Sequence, residues 1–212
     1  MKVHLDWASL VASEAKTQAV IRADEIAKKY DLAYASVVAA LTRQENRGLV
    51  ERVVRNIYLN KLAAGYNARD FVSAIVARSY VSLDSALLDW GVSSQSPVGL
   101  TCVTSSRPRT IKTASILIEF RKVNEDLFWG FVDRKSRYGV YKIAEAEKAL
   151  LDWVYLRLKG GLPVRLDEFE FQHLKVSKLL EMAKRFPRSV LETVIPTVLE
   201  KCVRSETVLH KA

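Results

Sequence analysis

Between residues 20 and 60 the spacing of apolar side chains changes several times within forty residues, which narrows the local structure sharply. Val20-Ile21 reads as a short strand. Arg22-Ala23-Asp24 opens a helix, with Asp24 and Glu25 where the positive end of the helix dipole favours acids. Ile26 and Tyr30 lie four apart on one face of it, and Ala27 is small enough for a second helix to pack closely. Asp31-Leu32-Ala33 makes a short turn. A second helix is predicted from about Tyr34 to Arg47, with Val37 and Leu41 one turn apart on its buried side. Gly48 follows, where a left-handed residue ends helices best. Leu49 to Arg55 and Asn56 to Lys61 alternate as two strands joined at Arg55-Asn56.

Helix, tight turn, helix, glycine and hairpin is the order of a winged helix-turn-helix, which seats its second helix in a DNA major groove with the wing beside it. On that reading Tyr34, Ser36 and Arg43 approach base edges. The helix is rich in alanine, so few of its side chains make bidentate base contacts. Arg52 and Arg55 on the wing, with Lys28 and Lys29, are expected to hold phosphates and set register. A solvated surface charge is the plain alternative for each.

Charge agrees with a polyanionic partner. The 212 residues carry a formal net charge of +9, which favours nucleic acid through steering and counterion release. The excess is not in the helix-turn-helix segment. Residues 1–60 carry nine Lys/Arg against seven Asp/Glu, 61–162 fifteen against ten, and 163–212 nine against seven. Only Cys102 and Cys202 are present, which argues against a disulfide scaffold and for buried thiols of a cytoplasmic protein. No stretch approaches the ~20 apolar residues of a membrane helix, and no secretion signal is visible.

Residues 4 to 18 are expected to form an amphipathic helix bearing Leu5, Ala8, Leu10, Val11 and Ala15. Ala63 to Tyr66 is the expected boundary between a first domain, 1–62, and a second, 67–212. Phe71, Ala74 and Ile75 share a helical face. Ser82 is placed to cap a short helix, Leu83 to Trp90, that stops at Gly91. Leu100–Thr104, Ile116–Phe120, Val140–Ile143 and, more weakly, Phe128–Val132 are β-type runs. Arg107, Arg109 and Lys112 are assigned to one loop, and Arg134, Lys135 and Arg137 to another. Together these six residues are a candidate second basic face that extends a DNA footprint, against the alternative of two ordinary polar turns. A strong helix runs from Ala144 to about Leu158, with Leu150, Leu151 and Val154 on its apolar side. A β-containing core of about 67–160 is followed by a helical end of about 163–205. Its helices are expected over Val176–Phe186 and from Pro187 through Val190, Leu191 and Val194, with Pro196 kinking or splitting the last. The fold class is thus α+β.

An ordered set of short motifs runs through Ser79 to Leu156: Ser79-Tyr80-Val81-Ser82-Leu83-Asp84-Ser85-Ala86-Leu87, Val103-Thr104-Ser105-Ser106-Arg107, Glu119-Phe120-Arg121, Phe128-Trp129-Gly130, and Ile143 to Asp152. In order and spacing this segment resembles the AbiEi-family antitoxins of type IV toxin–antitoxin, or abortive-infection, systems. Ala146 stands where the family often has proline. The resemblance implies an N-terminal winged domain that binds the promoter of its own operon. It implies a C-terminal region that neutralises a nucleotidyltransferase-like toxin without any need for a stable complex. Self-association would match repression at inverted repeats. The alternative is a free-standing winged-helix regulator without a toxin.

An enzyme is not expected. Glu119-Phe120-Arg121-Lys122 departs from the nuclease Glu-x-Lys pattern, because its lysine comes one residue late and faces the wrong side of a strand. No Asp precedes it on Leu100–Thr104. His4, His173 and His210 lack metal-ligand spacing, and no phosphate loop or nucleophile elbow occurs. No cofactor is expected. Glu147 and Lys148, adjacent on a helix, point in different directions and are not a ready ion pair. Glu147 is expected to be a buried structural or helix-dipole contact, with a part in toxin neutralisation as the alternative.

Overall fold

The computed structural model describes residues 5–209, with side chains described through residue 200. His4, His210 and the Cys202 side chain lie outside that range. Among the described residues the chain is α+β, with eight α-helices and two sheets. It divides into two compact units. One comprises the residues up to 77 with 110–118 and 134–141; the other comprises 78–109, 119–133 and the chain from 142 onward.

In the first unit, α1 (Trp7–Glu14) is capped by Asp6, whose carboxylate accepts from the Ala8 and Ser9 amides. The helix is shorter than the periodicity predicts, because the chain leaves the helix at Ala15 and turns through Lys16 and Thr17. Then follow β1 (Val20–Arg22), α2 (Ala23–Lys29), α3 (Tyr34–Asn46), β2 (Val50–Val54) and β3 (Ile57–Asn60). β1 and β2 flank β3 in a three-stranded antiparallel sheet. Val11, Ile21, Ile26, Val37, Leu41, Val50 and Tyr58 form one buried cluster, with Ala27 and Tyr30 packed against it. Burial of such side chains stabilises by about 1.5–3 kcal/mol each.

The two-residue turn Arg55-Asn56 does more than reverse the chain. Asn56 takes a left-handed φ of 74°, which asparagine tolerates better than most residues. Its carbonyl accepts the Ala23 amide at 3.0 Å. Its side-chain oxygen accepts the Asp24 amide at 2.8 Å, and its side-chain nitrogen donates to the Asp24 carboxylate at 2.7 Å. The hairpin tip thereby caps α2 from thirty-two residues away.

A 3-10 turn (Ala68–Phe71) and α4 (Val72–Ile75) complete the continuous part of this unit. Tyr138 donates to the Ala64 carbonyl at 2.7 Å, and the Ser115 amide donates to Glu51 at 3.3 Å.

Strands β4 (Ser79–Val81), β5 (Leu100–Thr104), β6 (Arg109–Lys112), β7 (Leu117–Lys122), β8 (Phe131–Ser136) and β9 (Gly139–Ala144) form a six-stranded sheet ordered β6-β7-β5-β4-β9-β8. β4 pairs antiparallel with β5 and parallel with β9. Two of these strands, β4 and β6, were not anticipated. The Phe128–Val132 run is displaced, because the strand begins only at Phe131, after Gly130 at φ 73°.

The second unit adds α5 (Leu83–Asp89), α6 (Ala146–Lys159), α7 (Val176–Ala183) and α8 (Arg188–Leu209). α6 packs against α5, α7 and α8 and is buried throughout Ala146–Tyr155. α8 continues through Pro196 as one helix, so of the expected kink or split the split is absent. Cys102 is a buried free thiol. Ser82 precedes α5 but does not cap it with its side chain. Thr101 takes over: its hydroxyl accepts the Ser85 amide at 3.0 Å and donates to the Ser82 carbonyl at 2.8 Å, while Ser85 Oγ accepts the Thr101 amide at 2.9 Å. No described helix is long and apolar enough to cross a membrane.

The hydrogen bond from Asn56 holds the Asp24 carboxyl below its usual range. Such a group stabilises the fold fully above its unfolded pKa, about 3.9, and the contribution is lost as pH falls through the lower folded value. Asn56→Gly keeps the backbone shape and removes the clasp. It should cost about 1 kcal/mol in urea unfolding at neutral pH and bring the Asp24 midpoint, read by NMR, back toward an ordinary carboxyl. An unmoved midpoint would show that the clasp does not hold Asp24.

Candidate functional site

The first candidate surface is the outward side of α3 with the β2–β3 hairpin. Tyr34, Ser36 and Arg43 are all exposed on α3, and Arg52 and Arg55 are exposed on the hairpin. Ser36 and Arg43 are seven residues apart and therefore share a helix face. The same side carries Ala35, Ala39, Thr42, Asn46 and Arg47, also exposed. Thr42, Asn46 and Arg47 escaped the sequence reading, although their spacing from Arg43 and Ala39 was there to be used. Thr42 spends its hydroxyl proton on the Val38 carbonyl at 2.9 Å. Glu45 turns its carboxylate to the Arg52 amide at 2.8 Å, fastening the hairpin to the end of α3.

The two lysines of α2 differ. Both are exposed, but Lys29 pairs with Glu14 at 3.0 Å. Its ammonium is held above the ordinary range by that hydrogen bond first and by the Glu14 charge second. A phosphate contact through Lys29 must compete with Glu14.

Arg107, Arg109, Lys112, Arg134, Lys135 and Arg137 do not occupy two loops. Arg109 and Lys112 lie on β6, Arg134 and Lys135 on β8; Arg107 precedes β6, and Arg137 sits in the β8–β9 turn. β6 and β8 are the two opposite edges of the sheet, with four strands between them. The charges fit that position, since lysine and arginine on edge strands discourage pairing with another chain. The misassignment has a simple cause: of the four residues of β6 only Ile111 is buried, so no run of apolar residues marks the strand.

The second candidate site lies inside the second unit. Asp152 and Lys148, one turn apart on α6, form a fully buried ion pair. Asp152 Oδ2 also accepts from the Tyr80 and Ser82 hydroxyls, each at 2.9 Å. Lys148 Nζ donates to Tyr80 at 2.9 Å and lies 5.1–5.3 Å from the ring centres of Tyr80, Trp129 and Phe186. Arg185 lies 3.9 Å over Trp129. Burial pushes the Lys148 ammonium down and the Asp152 carboxyl up, each opposed by the partner's charge. The Tyr80 phenol is pushed far up, by burial and then by Asp152. Gly130 completes the enclosure, since a Cβ there would meet Lys148 Cγ at 2.9 Å. Neighbouring Glu147 is 4 % exposed. It accepts the Lys175 amide at 2.8 Å and lies 3.6 Å from Lys178, the buried structural contact expected of it.

Chemically this cluster is closed. Its charges are paired with each other, and no face of Lys148 or Asp152 reaches solvent. Among the described residues no group of three His, Cys, Asp or Glu side chains is placed to hold a metal. Glu119 pairs with Arg121 at 2.8 Å, and His173 is exposed. No protein-family model matches the chain, and no curated protein matches it either.

Breaking one side of a buried pair strands the other charge. Asp152→Asn and Lys148→Met should each cost about 3–5 kcal/mol. Lys148→Met/Asp152→Asn together should cost less than the sum, by about 2 kcal/mol in a double-mutant cycle. Additive losses would mean that the two residues do not act as a pair. Gly130→Ala should lower stability by at least about 1–2 kcal/mol from backbone strain alone.

Proposed function

We propose that the protein is a cytoplasmic antitoxin of a type IV toxin–antitoxin system, which counteracts a nucleotidyltransferase-like toxin and represses its own operon. Its first unit is read as a winged helix-turn-helix that binds promoter DNA. The observation that carries the DNA reading is one exposed surface bearing Ser36 and Arg43 of α3 with Arg52 and Arg55 of the adjoining hairpin. Helix α3 has the length of a recognition helix, and its partner α2 packs against it. Phosphate contacts by the hairpin and Lys28 set register, while α3 reads base edges.

The antitoxin reading rests on the ordered motifs shared with the AbiEi antitoxins. Tyr80, Ser82, Trp129, Gly130, Lys148 and Asp152, drawn from three of these motifs, meet around one buried pair. They behave as the framework of one module, which supports treating the ordered set as a unit rather than as scattered matches. Neutralisation is then assigned to the exposed surface this framework holds, without a stable complex with the toxin.

Two experiments test the proposal. In promoter-DNA titrations, Arg52→Gln and Arg55→Gln should each weaken binding across sequences and flatten the log–log salt slope by about 1. Arg43→Gln should relax base preference at one position by about 1–3 kcal/mol. Unchanged slopes and preference in all three would remove the DNA assignment. Separately, the gene adjacent to this one should arrest growth when expressed alone, and co-expression of this chain should relieve the arrest. A harmless neighbour would leave a free-standing DNA-binding regulator.

A further inference from the structure

Apart from the buried pair, the second unit holds a guanidinium that is fixed in place and left facing open space. Arg157, near the end of α6, lies 4.5 Å over the ring of Trp153. Its Nε donates to the Pro163 carbonyl at 2.7 Å. Trp153 is itself immobilised. It is 8 % exposed, its indole N–H donates to Asp84 at 3.0 Å, and Phe169 meets it edge-on at 4.9 Å. No described acid pairs with Arg157, although the arginine is only half-exposed. An arginine elsewhere on a surface loses side-chain freedom when it grips a ligand. Here stacking and the Nε bond have already removed most of that freedom.

The space beside it is a cleft of about 130 Å³ lined by Arg157, Arg121, Asp84 and Thr101, with Leu83, Leu156 and Leu162 as apolar walls. A water occupies about 30 Å³ in the liquid, so the cleft admits a group several times larger. Two guanidinium groups against one carboxylate leave its lining with a net charge of +1. Arg121 is also paired with Glu119 at 2.8 Å, so Arg157 is the primary grip and an anion must compete with Glu119 for Arg121. Asp84 is partly committed to Trp153. A second cleft, of about 120 Å³, shares Asp84, Trp153 and Arg157 but adds Arg165 together with Glu168. Its lining is neutral, which makes the first the better anion site.

We infer that this cleft binds a small oxyanion ligand, a phosphate monoester or a carboxylate, with Arg157 and Arg121 gripping the anionic head and Leu83, Leu156 and Leu162 covering an apolar body. Guanidinium forks match both head groups through paired N–H donors. The assignment uses no residue of the proposed DNA-binding surface. It shares Leu83, Asp84 and Arg121 with the motifs behind the antitoxin reading but argues only from the cleft they line, so it stands or falls separately from that reading.

The test is titration of the full chain with phenyl phosphate, hexanoate and inorganic phosphate at constant ionic strength, against sodium chloride. Calorimetry gives affinity, and the NMR signals of the Trp153 indole N–H and Arg157 Nε–H give location. Saturable binding of phenyl phosphate or hexanoate that moves both signals is expected, and whichever binds more tightly names the head group. Inorganic phosphate should bind more weakly than phenyl phosphate, since it lacks the apolar body. Arg157→Gln should weaken binding about tenfold or more, the usual scale for losing a charged hydrogen-bonding pair. Arg121→Gln serves as the second variant because its side chain is 61 % exposed and its loss leaves the interior intact; it should weaken binding about threefold or more. The inference falls if no probe binds above the chloride control at 10 mM ligand (about the weakest affinity worth assigning). It falls equally if binding is unchanged in both variants.

Discussion

The Lys148–Asp152 pair is the interaction around which the second unit is organised. A charge taken out of water costs several kcal/mol even after relaxation, so both residues must be met by partners that arrive from elsewhere in the chain. Asp152 collects hydroxyl donors from β4 and from the residue before α5. Lys148 is surrounded by rings contributed by β4, by the segment before β8 and by the segment before α8. Those demands propagate. Ser82 surrenders its hydroxyl to Asp152, and the start of α5 is capped instead by Thr101 of β5. Leu83 is left at φ 55°, a conformation that a branched side chain rarely accepts. Gly130 is required because any side chain there meets Lys148.

In the first unit the equivalent constraint is milder and more local. A small apolar cluster holds α1, α2, α3 and the three-stranded sheet. The hairpin tip returns to cap α2 through Asn56, and Glu45 fastens β2 to the end of α3. These polar ties fix the hairpin relative to α3 within one unit. A surface made of one helix face and one hairpin needs that fixity if it is to meet a regular polyanion with little entropic loss. The proposed DNA contact therefore depends on bonds that do not themselves touch DNA.

Legibility in the sequence followed the range of the interactions. α2, α3 and the hairpin were readable almost to the residue, because apolar spacing, a terminal glycine and a two-residue turn are local signals. β6 was not, since Arg109, Thr110 and Lys112 face solvent and leave a single buried residue. β4 is three residues long and fully buried, too short for any period to show. Phe128-Trp129-Gly130 looked β-like from its aromatics, yet those rings turn toward Lys148 and Tyr80 rather than into a ladder. Of the proposed surface, the exposed cations were legible, and helical spacing also carried the place of Thr42 and Asn46 on that face; that Lys29 is already paired with Glu14 required coordinates. The Arg157 cleft was invisible, because its residues come from four separated segments.

By itself the sequence determined the α+β class, the helix–turn–helix–hairpin order of residues 20–60 and the apolar faces of α3 and α6, since each follows from side-chain period and backbone preference over a few residues. It also placed Lys148 and Asp152 one helical turn apart, a spacing that most often marks a solvated pair on a helix surface. Only the tertiary structure decided that this pair is buried, that the six candidate basic residues divide between opposite edges of one sheet, and that Arg157 is held over Trp153. Strand order and burial depend on which distant segments meet. Nothing in a residue's immediate neighbours carries that information, because the energies that select it come from desolvation and packing between segments far apart in the chain.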